Sequence, residues 1–388
     1  MCCSLIDSCM KSTLRKFYIN IPEEDIQDLR RRLAYTRFPP GVNSTSWEAG
    51  TDQAYLQDLL SYWATEYNWR QREEWLNTFD HYLAEIDGVK IHFIRSEAKK
   101  PNAVPLLLMQ GWPSSFVQVL DFLPRLSNPA DNNPILFDVI AVSLPGYAFS
   151  ELPRQHGMGF ARIADLVVHL MVEILGFKQF AARGSDQGAL VQQQIGLKYP
   201  VRLIGLHRTG ITPFLNLLPA DLSEEEIAYQ KQVGAWVQRE TAYASLQSLR
   251  PETLLPALVD SPAGLASWII EKFQRWGDAG TDLDMHFGRD KLLDNLSLHW
   301  FTFSGAGAIR LYHENSRDPG LSGRVEVPTA IAMPLRDGIT VPAPRKWAER
   351  FYNVQQWTVM EKGGHFPEWE VPDQLADDIR TFFAKLSA

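Results

Sequence analysis

Gln179-Phe180-Ala181-Ala182-Arg183-Gly184-Ser185-Asp186-Gln187-Gly188-Ala189-Leu190-Val191 is the stretch on which the fold turns. Its apolar start reads as a short buried strand, and Val191, Ile195 and Leu197 then mark a helix. Between them lies Gly184-Ser185-Asp186-Gln187-Gly188, a G-x-nucleophile-x-G turn with aspartate at its centre. Such a turn is sharp and strained, and small flanking residues let strand and helix approach each other. A bare G-x-x-x-G says little; strand, turn and helix in succession give it meaning. Ser185 is the other nucleophile type here, but it stands one position too early in this register.

Outward from that turn, apolar strands alternate with helices. Strands are expected at VPLLLMQ (104–110), FDVIAVSL (137–144), QFAARGS (179–185), RLIGLHR (202–208), TAIAMPL (329–335) and QWTVMEK (356–362). FARIADLVVHLMVEILG (160–176) is one of the amphipathic helices between them. Short buried strands separated by helices imply an α/β fold with a mostly parallel sheet and crossover connections. An aromatic-rich helical segment interrupts the rhythm at 211–322, as an insertion would. Residues 17 to 95 read as a helical prelude: Ile26, Leu29 and Leu33 keep helical spacing after Pro22, and Tyr55, Leu59, Tyr62 and Trp63 form a second stripe. The tryptophans at 47, 63, 69 and 75 read as packing. A hairpin is expected around Asp87-Gly88. The chain thus divides into an N-terminal region (1–95), a first core part (96–210), a helical cap (211–322) and a second core part (323–388).

Composition narrows the function. A net charge of −8 over 388 residues argues against nucleic acid or an anionic membrane surface as partner. Cys2, Cys3 and Cys9 all stand in the first ten residues, leaving no cysteine for a disulfide or thiolate metal site beyond them. That usage fits a reducing, cytoplasmic setting. Acylation of the adjacent Cys2 and Cys3 is the alternative to a plain frayed terminus. The first sixteen residues lack the pattern of a signal peptide, and no apolar run approaches the length of a membrane span.

Acyl-type chemistry at Asp186 needs amide donors and a base. One oxyanion donor is expected from the backbone of Gln187, the other from Trp112 in Gln110-Gly111-Trp112-Pro113 after a strand. In the α/β-hydrolase order of nucleophile, acid and base, the base comes last. Of nine histidines, His365 in Lys362-Gly363-Gly364-His365-Phe366 sits in a glycine-flanked loop after the final strand. Asp337 in Met333-Pro334-Leu335-Arg336-Asp337-Gly338 follows the preceding strand and is the candidate acid, a plain turn aspartate being its alternative. No metal or organic cofactor is called for.

These motifs resemble the microsomal and juvenile-hormone branch of the epoxide hydrolases, from about residue 17 to the end. FYINIPEEDIQDLRRRLAYTRFPP (17–40) and YWATEYNWRQREEWLNTFDHYLAEIDGVKIHF (62–93) look like its N-terminal region, which wraps the catalytic domain. QGWPSSF, GSDQG, MPLRD and EKGGHF look like its oxyanion loop, nucleophile elbow, acid loop and base loop. The resemblance implies an α/β-hydrolase fold with a helical cap, hydrolysis of a small-molecule epoxide to a vicinal diol through an ester on Asp186, and a homodimer. It also places Tyr243 and Tyr312, in RETAYASLQSL and SGAGAIRLYHEN, where the family has two ring-opening tyrosines. Without it, either would read as cap packing. Gln110 departs from the family's histidine, Arg183 and Gln187 from its commoner small and aromatic residues, and the acid loop is a residue or two longer. Two other activities remain open at this level: a haloalkane-type dehalogenase, whose halide is held by indole or amide N–H donors, and a cyclase that opens an epoxide with the substrate's own hydroxyl. The tyrosine pair favours the epoxide over the halide, and keeping His365 favours water as the final nucleophile.

Overall fold

The structure is a computed structural model that describes residues 12–40, 47–129, 135–211 and 221–387. The three cysteines lie outside those residues. Nine strands form one sheet: β1 (Ser12–Lys16), β2 (Asp80–Ile86), β3 (Val89–Ser96), β4 (Val104–Met109), β5 (Phe137–Val142), β6 (Phe180–Gly184), β7 (Leu203–Thr209), β8 (Val325–Pro334) and β9 (Tyr352–Met360). Their order is β1-β2-β3-β5-β4-β6-β7-β8-β9. From β5 to β9 all neighbours are parallel; the β1, β2 and β3 pairings are antiparallel.

The sequence pattern accounts for this split. Every residue of β5, FDVIAV, is buried, as a parallel strand covered on both faces requires. The β2–β3 turn places Asp87 and Gly88 at φ of 52° and 76°, the left-handed pair that a tight two-residue hairpin needs. β3 then pairs antiparallel with β5, which fuses the prelude to the sheet. The prelude is therefore less helical than its periodicity implies: β1 to β3 come before and after helices Glu23–Ala34, Gln53–Thr65 and Trp69–Leu76. In the second of these the buried stripe is Leu56, Leu59, Leu60 and Trp63. Tyr55 and Tyr62 sit at its edge instead and donate their hydroxyls to Asp284 and Asp290, 2.7 and 2.9 Å away.

Among the described residues, seven helices, from Glu224–Glu240 to Ser304–Arg317, lie between β7 and β8 in the chain. The prelude helices grip this block as well as extending the sheet. Trp63 Nε1 donates to Ser297 Oγ at 3.0 Å, and Asp294, fully buried, accepts from Tyr67 Oη at 2.8 Å and from the Arg72 guanidinium. Strand order reverses around β4, and the loops that leave β4, β6, β8 and β9 converge at that end, where parallel sheets offer a ligand crevice. Among the described residues no single helix is long and apolar enough to cross a membrane.

Candidate active site

Asp186 opens helix Asp186–Lys198 with φ of 48°, a left-handed conformation that a non-glycine residue adopts only under constraint. The flanking glycines are steric necessities. A Cβ on Gly184 would lie 2.8 Å from Ala189 N, and one on Gly188 2.3 Å from Met109 O. On the facing loop, a Cβ on Gly111 would lie 2.0 Å from Asp186 Oδ1 and 2.6 Å from Gln187 N. Carboxylate, Gln187 amide and the Gly111-Trp112 loop therefore crowd around one point. Trp112 N already donates to Asp186 Oδ1 at 3.0 Å.

His365 completes the chain of contacts. Its Nε2 lies 3.4 Å from Asp186 Oδ2, and its Nδ1 lies 3.1 Å from Asp337 Oδ2. Ile339 N donates to the other Asp337 oxygen at 2.9 Å, which fixes the acid's rotamer. Burial alone would drive the His365 imidazole towards neutrality. The Asp337 charge and the hydrogen bonds to Asp186 and Asp337 outweigh it, and the pKa is pushed up to about 10.

Two phenols, Tyr243 and Tyr312, line the same cavity as the carboxylate. The Tyr243 ring stacks on Trp112 (centroids 5.4 Å, 14° between planes), meets Trp276 at 5.0 Å and faces Tyr312 at 6.1 Å and 80°. Burial first, then the Asp186 charge, holds the Tyr243 phenol well above the ordinary tyrosine range. Tyr312 is pushed up too, by burial, then by Tyr243 and Asp186. Both are thus hydrogen-bond donors at neutral pH. Asp186, Gln187, Tyr243, Tyr312, Asp337 and His365 all line one cavity of about 770 Å³, otherwise walled largely by apolar groups such as Phe160, Leu190 and Phe351. The structure brings every expected site residue to one place.

Sequence reasoning overlooked several supports. Tyr147, fully buried after β5, donates to Gln187 Oε1 at 2.8 Å. The Trp276 carbonyl accepts from His365 N at 3.0 Å, so helix Pro262–Trp276 holds the loop around His365 directly. Arg183, the departure before the elbow, is buried and ion-paired to Glu368 at 2.8 Å, three residues past the base. Glu370 accepts from the Gly364 and Phe366 amides on either side of His365, at 3.0 and 2.9 Å. Only the spacing of Glu368 and Glu370 from His365 hinted at this; nothing in the pattern marked Tyr147 or Trp276. Gln110, at the family's histidine position, is buried, and its Oε1 has no partner among the described residues.

Known proteins resemble this chain over most of its length. The family described as epoxide hydrolase N terminus matches residues 14–119, and the alpha/beta hydrolase fold family matches 104–253. The chain is 38% identical over 377 residues to a provisionally named epoxide hydrolase of Stigmatella aurantiaca, spanning 96% of this chain and 85% of that one. Epoxide hydrolase 1 of Sus scrofa is 32% identical, over 96% of this chain and 89% of its own. The chain belongs to the epoxide hydrolases. Solved structures agree: juvenile hormone epoxide hydrolase of the silkworm Bombyx mori superposes with a TM-score of 0.85 at 30% identity, covering 97% of this chain and 95% of that one. Aspergillus niger epoxide hydrolase follows at 0.83 and 27%, with 96% and 97% covered. The enzyme therefore acts on small-molecule epoxides, and its fold is that of the α/β hydrolases.

Proposed function

We propose that this epoxide hydrolase works through a covalent ester on Asp186, with Tyr243 and Tyr312 as acids and His365–Asp337 as the base pair. The observation that carries it is one cavity lined by a carboxylate and two non-ionised phenols. An oxirane carbon placed between them receives an Asp186 oxygen while the C–O bond breaks. The departing electron pair goes to the oxirane oxygen, which takes its proton from the phenol pair. Asp186 Oδ1, facing Trp112 N and Gln187 N, then becomes the oxyanion when water attacks the ester carbonyl. His365 takes the water proton and Asp337 steadies the imidazolium. A vicinal diol leaves with His365 protonated again, its earlier proton having passed to the phenolate once the ester had formed.

The same reading treats 211–322 as the cap between core parts 96–210 and 323–388, with 1–95 as the wrapping region. It also places the enzyme in the cytoplasm, on its cysteine usage, and as a homodimer, on family resemblance. The mechanism has a direct test. In a single turnover with excess enzyme in ¹⁸O-water, the first diol comes out unlabelled and the label enters the peptide containing Asp186. His365→Gln accumulates an adduct seen by intact mass, and Asp186→Ala forms none. Full solvent label in the first diol would mean that water attacks the epoxide directly.

A further inference from the structure

Lys272 is a cation close to the Tyr243 ring that this mechanism leaves unused. Its ammonium lies 5.0 Å from the Tyr243 ring centroid, 5.5 Å from that of Trp268 and 5.7 Å from that of Trp276. Helix Pro262–Trp276 presents residues 268, 272 and 276 on one stripe at four-residue spacing, so the helix itself supplies two of the three rings, and helix Ala242–Leu249 supplies Tyr243. The lysine side chain keeps only 12% of its surface exposed and pairs with the Glu271 carboxylate. A strongly hydrated ammonium held among rings loses solvation, which calls for a compensating interaction.

Ring opening moves charge in a direction that this cation can sense. Before the step, negative charge sits on Asp186, and burial together with that charge keeps the Tyr243 phenol protonated. As the Asp186 oxygen bonds to carbon, that charge passes to the oxirane oxygen, and the phenol that protonates it is left with phenolate character. The charge thus leaves the Asp186 carboxylate and arrives at the ring beside Lys272. We propose that Lys272 is a positioning residue for ring opening: through the Tyr243 ring it stabilises the phenolate character that develops as the Asp186 ester forms. Glu271, ion-paired to Lys272, carries the opposing charge beside it. An interaction present only when charge arrives at Tyr243 speeds the step and leaves substrate binding unaltered.

This inference rests on the ester reading, and half-reaction kinetics keep the two separable. Rapid mixing follows ester formation and ester hydrolysis in wild type, Lys272→Gln, Lys272→Arg and Glu271→Gln, each with Tyr243 and with Tyr243→Phe. Lys272→Gln is expected to slow ester formation about ten-fold, the scale of a desolvated cation–ring contact, with hydrolysis of the ester little changed. Lys272→Arg restores most of the rate because it keeps the charge. Glu271→Gln does not slow the step, as it removes the opposing charge. In the Tyr243→Phe background Lys272→Gln has less than a two-fold further effect. Equal slowing of both half-reactions, or the same ten-fold loss without the Tyr243 hydroxyl, overturns the proposal and leaves Lys272 as packing. Were no ester to form even in wild type, the Asp186 reading would fall instead.

Discussion

At His365 two carboxylates hold one imidazolium, and the chemistry requires that it be let go. Flanked by Asp186 at 3.4 Å and Asp337 at 3.1 Å, the ring keeps its proton up to about pH 10 in the resting enzyme. A protonated ring cannot act as base. Ester formation resolves this, because it removes the charge of Asp186 and leaves Asp337 alone to hold the proton, so the His365 pKa falls in the intermediate. Ester hydrolysis should therefore rise with pH along a limb centred clearly below about 10. Single-turnover decay of the ester across pH checks this; a limb at or above the resting value would show that Asp186 does not set it. The phenols give a second prediction. Either alone still donates to the oxirane oxygen, so Tyr243→Phe and Tyr312→Phe each slow alkylation about 10- to 100-fold, and the double variant nearly abolishes it. Near-normal turnover in the double variant would remove both from the acid role.

Elements rather than residues decide how rigid the oxyanion loop is. Pro113 O, one peptide past Trp112, accepts from Asn295 Nδ2 and lies against His299 Nε2, each at 3.0 Å. Both side chains come from cap helix Arg289–Phe301, which is gripped from behind by the prelude through Asp294 and Ser297. One helix thus joins wrapping region, cap and oxyanion loop. Asn295→Leu should cost on the order of 1–3 kcal/mol of stability, since it leaves a buried carbonyl short of a donor. It should also slow ester hydrolysis more than alkylation, because Trp112 N serves the oxyanion; equal loss in both steps would separate the helix from the loop's function. Such links were hidden in the sequence. The turn at Asp186, the loop at Gly111-Trp112 and the base at His365 were legible because backbone geometry forces glycine around them. Asn295, His299 and Trp276 bond through main-chain carbonyls some way off in sequence, and that leaves no periodic mark. β1 escaped for a related reason: an edge strand of alternating polar residues, STLRK, carries no buried run, and only its partner β2 defines it.

Over the whole molecule, buried histidines are expected to make stability depend on pH. His81 and His92 face each other nitrogen to nitrogen at 2.9 Å between the β2–β3 hairpin strands, with Leu76 O and Ser143 Oγ at the outer ends of the chain. Burial lowers both, and at His92 the neighbouring His81 adds to it. His207 beside Asp378 is lowered by burial, and His299 against Pro113 O is lowered, again by burial, to about 4. These four are neutral when folded but take up protons near pH 6.5 once unfolded. The unfolded chain therefore binds more protons below that point, so their contribution is complete above about 6.5 and is lost as pH falls. For His299 alone, going from about pH 6.5 to about 5 removes roughly 2 kcal/mol, and the other three act in the same direction. His365 has the opposite sign. Its folded pKa is raised, so its contribution is full below about 6.5 and is lost as pH climbs towards 10. Acid and alkaline losses thus bracket neutrality, and unfolding free energy should be greatest near pH 7. Most ordinary carboxylates titrate near roughly 4, outside the window in question. Urea unfolding at about pH 5, 6, 7 and 8 should show a decline already between 7 and 5, steeper than the decline above 7. His299→Gln should flatten that acid limb by about one proton's worth of slope, since the substituted side chain cannot titrate. A stability that is level from pH 7 down to 5 would mean that these buried imidazoles are reached by protons without unfolding.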